Sequence, residues 1–201
     1  MQRPAAQLDP TLDRMDRGRA LKGELLMNEK PRNWVPYAQP LLDAVSLFEE
    51  LGIRYALIGG IAAMHYGRSR FTEDVDFVAD AGHGDVLAAH PKEMEKYHFD
   101  PTCTYKLYHQ SGVQVDLWKD EHAGDIVEHA TEVELAGRPI RIVEPHDLIA
   151  MKLRARRLKD DYDISEIVKN TPIDDSRLQG MVTPEQFAQF NEIKKRISRD
   201  G

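Results

Sequence analysis

The stretch from Leu57 to Asp80, LIGGIAAMHYGRSRFTEDVDFVAD, restricts the fold of this 201-residue chain more than any other segment. A β-rich run, Ile53 to Ile58, ends at Gly59-Gly60, which reads as a strand entering a tight turn. Ile61 to Tyr66 then reads as a short helix stopped by Gly67. Asp74 to Val78 alternates polar and apolar residues, as a half-buried strand does. Strand, glycine turn, helix and second strand in so few residues point to an α/β fold.

Side chains alternate faces along a strand, so Asp74 and Asp76 project from the same face. Two carboxylates held that close resist ionising together unless a cation lies between them. Oxygen donors select a hard ion, so Mg²⁺ is the expected cofactor and Mn²⁺ its substitute. A third acid, Asp116, interrupts the apolar run Val113 to Trp118, where a carboxylate needs a reason. On a strand beside the first it would complete a three-acid site for two metals about 3.5–4 Å apart, an arrangement suited to phosphoryl transfer. Gly59-Gly60 adds backbone N–H groups that can approach a phosphate without a Cβ in the way.

The remaining pattern supplies the scaffold. Leu41, Val45, Phe48 and Leu51 recur at helical spacing, with Gly52 as the stop. A helix is predicted over Val86 to Tyr97. Hairpins are predicted for Thr104–His109 with Val113–Trp118, and for Val133–Leu135 with Ile140–Val143. Pro145 to about Lys169 reads as one helix, and Thr183-Pro184-Glu185-Gln186 opens a last helix with a capping box. Residues 1–35 show little apolar periodicity and are expected to form a poorly ordered tail, with Met27 as a candidate start. Residues 36–144 are expected to form a catalytic domain and residues 145–201 a helical C-terminal region.

Composition narrows the function classes. The net charge of −7 does not favour a protein that binds nucleic acid by overall charge, though local basic stripes remain open. The single cysteine, Cys103, rules out an internal disulfide and a multi-cysteine zinc site. Nothing approaches the ~18 apolar residues of a membrane span, and no early apolar run suits a signal peptide, so the expected location is the cytoplasm.

Gly59-Gly60, then Gly67-x-x-Arg70-x-Thr72-x-Asp74-x-Asp76, then Asp116 in a later strand, resembles the DNA polymerase β-like nucleotidyltransferase superfamily. Within it the chain is similar to the small bacterial AbiEii-type minimal nucleotidyltransferases. The likeness continues through Pro145 to Leu153 and Lys159-Asp160-x-x-Asp163, and spans roughly Leu41 to Val168. It implies that Asp74, Asp76 and Asp116 bind metal, with Asp116 also the base for an acceptor hydroxyl. It further implies phosphate contacts from Gly59, Gly60 and Arg70. Many members have Gly-Ser where this chain has Gly59-Gly60, so a hydroxyl contact there must be replaced.

Helical geometry independently places Lys152, Arg156, Lys159 and Asp163 in one stripe between apolar flanks, so Lys152 is expected to reach a triphosphate. Arg154, Arg157 and Asp161 fall on the opposite, solvated side. Trp118 reads as core or rim, Thr72 as a residue bonding its own turn, and His146-Asp147 as a helix start, not a metal pair. With the resemblance, the combined reading is an α/β nucleotidyltransferase fold, a small mixed sheet carrying the acids and backed by helices with a helical C-terminal part. Such a fold transfers a nucleoside monophosphate from an NTP to an acceptor on RNA or tRNA, a small molecule such as an antibiotic, or a protein. A toxin-like member would also have an antitoxin-type partner. The alternative is an inactive nucleotide-binding or antitoxin-like protein that keeps the fold without the chemistry.

Overall fold

The structure, a computed structural model, describes residues 37–67, 72–79, 82–100 and 103–200. The expected tail at 1–35 and Arg70 lie outside the described residues. Helix α1 (Ala38–Glu50) buries Leu41, Val45 and Phe48, as their spacing requires, and Gly52 follows at φ +65°, where the chain turns into the sheet.

Seven strands form one mixed sheet in the order β3-β4-β5-β2-β1-β7-β6. They are β1 (Tyr55–Leu57), β2 (Asp74–Ala79), β3 (Tyr97–Asp100), β4 (Cys103–His109), β5 (Gln114–Trp118), β6 (Thr131–Leu135) and β7 (Arg138–Ile142). The central strand β2 runs antiparallel to β1 and parallel to β5. Both predicted hairpins form, β4 with β5 and β6 with β7. One side of β2 sends Phe77 into a buried aromatic cluster with Phe48 and Tyr55, ring centroids 5.0–5.6 Å apart. The other side carries the acids.

The short helices are α2 (Gly59–His65), α3 (His83–Ala89) and α4 (Ala123–His129). Beyond the sheet come α5 (Pro145–Ala155), α6 (Leu158–Asn170), α7 (Asp175–Met181) and α8 (Pro184–Asp200). The capping box of α8 is present: the Thr183 N–H donates to Gln186 Oε1 at 2.9 Å, and the Gln186 N–H returns to Thr183 Oγ1 at 3.3 Å. His146 is buried near the start of α5, where its Nε2 accepts from the Asp174 N–H.

Two expectations are corrected. The helix predicted through Tyr97 stops at Ala89, and Tyr97 opens β3. Pro91 explains this, because proline pushes the preceding residue out of the helical region, and His90 sits at φ −122°, ψ 62°. The single helix predicted over 145–169 is two: Arg156 adopts a left-handed conformation (φ 52°, ψ 34°), and Arg157 is extended before α6 begins. Asp160 holds the break, accepting from the Arg157 backbone N–H and from its guanidinium Nε, each at 3.0 Å.

Lys152 of α5 therefore meets Asp163 of α6 across a helix-helix corner and not along one helix. Its ammonium donates to Asp163 Oδ2 at 2.7 Å and lies 3.5 Å from Asp160 Oδ1, all three side chains being buried. Removing one partner of a buried pair strands a charge. Asp163→Ala is expected to lower stability by about 3 kcal/mol, the lower end for a broken buried pair because Asp160 stays nearby; urea denaturation measures it.

Candidate active site

The parallel register of β2 and β5 sets Asp74 opposite Gln114 and Asp76 opposite Asp116. Asp76, Asp116 and Lys106 of β4 thus form one row across three strands. One carboxylate oxygen from each of Asp74, Asp76 and Asp116 lies within 4.8 Å of the others. Among the described residues this is the one such group of ligating side chains, and its all-oxygen donor set fits a hard divalent cation.

Each acid has its own hydrogen-bonding support. The Thr72 hydroxyl donates to Asp74 Oδ1 at 2.6 Å, so Thr72 bonds its own turn as expected. Gln114 Nε2 donates to both oxygens of Asp116, at 2.8 and 2.9 Å. Asp76, the most buried, accepts from the Trp118 indole Nε1–H at 2.8 Å and from the Gly60 backbone N–H. Burial, reinforced by the negative charges of Asp74 and Asp116, pushes Asp76 up to about 6 against the pull of those two donors. Burial also raises Asp116, offset in part by Gln114 and by the charge of Lys106.

The glycine turn stands against the same carboxylate. Gly59 sits at φ +63°, and a Cβ there would fall 1.8 Å from Asp76 Oδ2, so both the backbone conformation and the space demand glycine. The amide of Gly60, expected to face a phosphate, is engaged by Asp76 in this structure. Beside this turn opens a cleft of about 260 Å³, walled by Ile58, Gly59, Asp76 and Trp118 on the sheet side and by Leu148, Met151, Lys152 and Arg157 on the helical side.

The sequence-predicted residues are therefore mostly together. Gly59, Asp76 and Lys152 line one cleft, and Asp74 and Asp116 adjoin it through Asp76. The predicted stripe of Lys152 with Arg156 and Lys159 does not exist as one helix face, because the chain breaks at Arg156. Arg157, assigned to the solvated side, instead lies with its guanidinium carbon 5.6 Å from the Trp118 ring centroid. Arg154 likewise faces the cleft and pairs with Asp120 at 3.0 Å. Trp118 was legible in principle: it stands two residues beyond Asp116 and so shares that face of the strand. Arg157 carried no local signal, since its place depends on the helix break.

Asp76 gives a pH signature. A carboxyl raised from 3.8 to about 6 favours its protonated form in the fold, so its contribution is complete below the ordinary pKa and is lost as pH rises through about 6. In metal-free buffer, the stability difference between Asp76→Asn and wild type is expected to move by about 2–3 kcal/mol in the variant's favour from pH 4 to pH 8. Paired denaturation curves with chelator at the two pH values check it.

The model of a family described as nucleotidyl transferase of unknown function (DUF2204) matches residues 37–199. No curated protein is significantly similar to the chain in sequence. An antigenic nucleotidyltransferase-like protein from Paracoccidioides brasiliensis has a similar structure, with a TM-score of 0.54 and 18% identity over 81% of this chain and 89% of that one. The lincosamide antibiotic adenylyltransferase LnuA, solved with lincomycin bound, gives a TM-score of 0.48 and 18% identity over 66% of this chain and 97% of that one. The first likeness is one of fold. No helix among the described residues is long and apolar enough to cross a membrane.

Proposed function

The chain belongs to this family of nucleotidyl transferases, and from that premise we propose that it is a Mg²⁺-dependent enzyme moving a nucleoside monophosphate from an NTP to an acceptor hydroxyl. The observation that carries the reading is the cluster of Asp74, Asp76 and Asp116 against the Gly59-Gly60 turn, at the wall of one cleft. The motif spacing favours the small AbiEii-type group, and the expected compartment is the cytoplasm.

In this proposal Asp74, Asp76 and Asp116 hold the divalent cation, with Mn²⁺ able to replace Mg²⁺. When bound, the cation neutralises charge that develops on the transferred phosphoryl group. Asp116 takes the proton of the acceptor hydroxyl, helped by a site that already disfavours its charged form. The acceptor oxygen bonds to the α-phosphorus, the bond from that phosphorus to the bridging oxygen breaks, and pyrophosphate leaves. Gly59 and Arg70 contact phosphate oxygens, while the Gly60 amide supports Asp76 from the same turn. Lys152 presents its charge from the opposite wall of the cleft, anchored by Asp163 and Asp160. The acceptor is a hydroxyl on RNA, a small molecule or a protein, and an antitoxin-type partner belongs to the RNA version of the proposal.

Pyrophosphate release from NTP with Mg²⁺, measured with RNA, small-molecule and protein acceptors supplied in turn, tests the reading against the alternative of an inactive nucleotide-binding or antitoxin-like protein, which binds NTP and releases none with any of them. Asp74→Ala and Asp76→Ala are each expected to abolish release while the fold persists. Asp116→Asn is expected to lower kcat by at least about 100-fold. Its affinity for a non-hydrolysable NTP should stay within about tenfold. Equal losses of binding and turnover in Asp116→Asn would remove the base role.

A further inference from the structure

We propose that Trp118 is a positioning residue for the acid cluster: its indole N–H sets the carboxylate of Asp76 in the orientation that binds metal, and Arg157 sets the indole. The inference rests on the metal-binding reading above and goes beyond it to a residue outside the acid motif.

Asp76 is pressed by two other carboxylates, and repulsion alone would turn its side chain away from them. A donor aimed at one oxygen opposes that rotation, and hydrogen bonds to an ionised group are roughly twice as strong as neutral ones. Trp118 supplies the donor from strand β5: it lies opposite Val78 in the register and reaches diagonally back to Asp76 Oδ1 at 2.8 Å. The indole has one polar atom, a donor, and it is spent on this carboxylate.

Core packing does not explain the residue. Trp118 is 41% exposed, one of three large hydrophobic side chains to stand out among the described residues. An indole so open needs another restraint, and the Arg157 guanidinium over its face supplies one. Arg157 is in turn tied through Nε and Nη2 to the buried Asp160, at 3.0 and 3.2 Å. Asp160, Arg157, Trp118 and Asp76 thus form a continuous chain of contacts from the helical region to the acid cluster.

Mn²⁺ binding followed by electron paramagnetic resonance, without nucleotide, tests the proposal. Trp118→Phe keeps a ring for Arg157 but removes the N–H, and is expected to bind Mn²⁺ about tenfold more weakly than wild type while retaining its melting temperature within a few degrees. Arg157→Ala keeps the N–H and frees the ring, and should weaken binding less. In a Trp34→Phe background, Mg²⁺ should shift the emission of Trp118, and Asp76→Asn should abolish the shift. This second measurement leaves Trp118 in place, so it holds if Trp118→Phe fails to fold. Normal Mn²⁺ affinity in Trp118→Phe, or silent emission while Mn²⁺ binds, overturns the positioning role and leaves the metal site standing. Failure of the wild type to bind Mn²⁺ overturns the metal site and this inference with it.

Discussion

The parallel pairing of β2 with β5 forces Asp76 against Asp116 while the period of β2 forces it beside Asp74. Ionised carboxylates 4.8 Å apart or closer repel by at least about 3 kcal/mol at an effective dielectric near 20. Much of the surrounding structure answers that cost. Thr72, Gln114, Trp118 and the Gly60 amide each donate to one of the acids, and Lys106 stands next to Asp116 in the row. The opposite side of the same strand pays nothing of the kind, since Phe77 is packed among Phe48 and Tyr55. A sheet with an apolar side and an acid-bearing side is therefore anchored by one and poised by the other.

The second organising contact is the buried Lys152 with Asp163 and Asp160. It ties α5 to α6 and fixes the corner at Arg156 and Arg157. The corner matters to the site because it turns Arg157 back over Trp118, at the edge of the cleft that Asp76 lines. Taking these charges out of water carries a desolvation cost, so the pairs are weak evidence for net stability. The corner brings Lys152 and Arg157, each paired with a buried acid, to the cleft that Asp76 lines.

The elements that the sequence made legible were those with strong local grammar. The helix at Leu41 to Phe48, both hairpins, and the capped helix from Pro184 all carry periodicity or turn chemistry that acts within a few residues. The two corrected elements differ in origin, one local and one tertiary. The helix expected through Tyr97 ends ahead of Pro91, a local signal, and Tyr97 opens β3 instead. The break at Arg156 had no glycine or proline to announce it: a non-glycine residue sits in the left-handed region because packing of α6 on α5 requires the turn.

For the site, the chain alone determined which groups are present: DxD on one strand face, a glycine pair after a strand, and an aspartate inside an apolar run follow from alternation and residue type. Which strands were neighbours, and in which register, was a tertiary decision, because pairing between segments forty residues apart depends on the whole sheet. The same holds for Trp118 and Arg157. Trp118 shares a strand face with Asp116 along the chain, but it meets Arg157 only where the β5 end and the α5–α6 corner come together beside Asp76. Periodicity acts over a few residues and can be read from sequence; the meeting of distant surfaces is set by packing energy summed over the core, which no local pattern encodes.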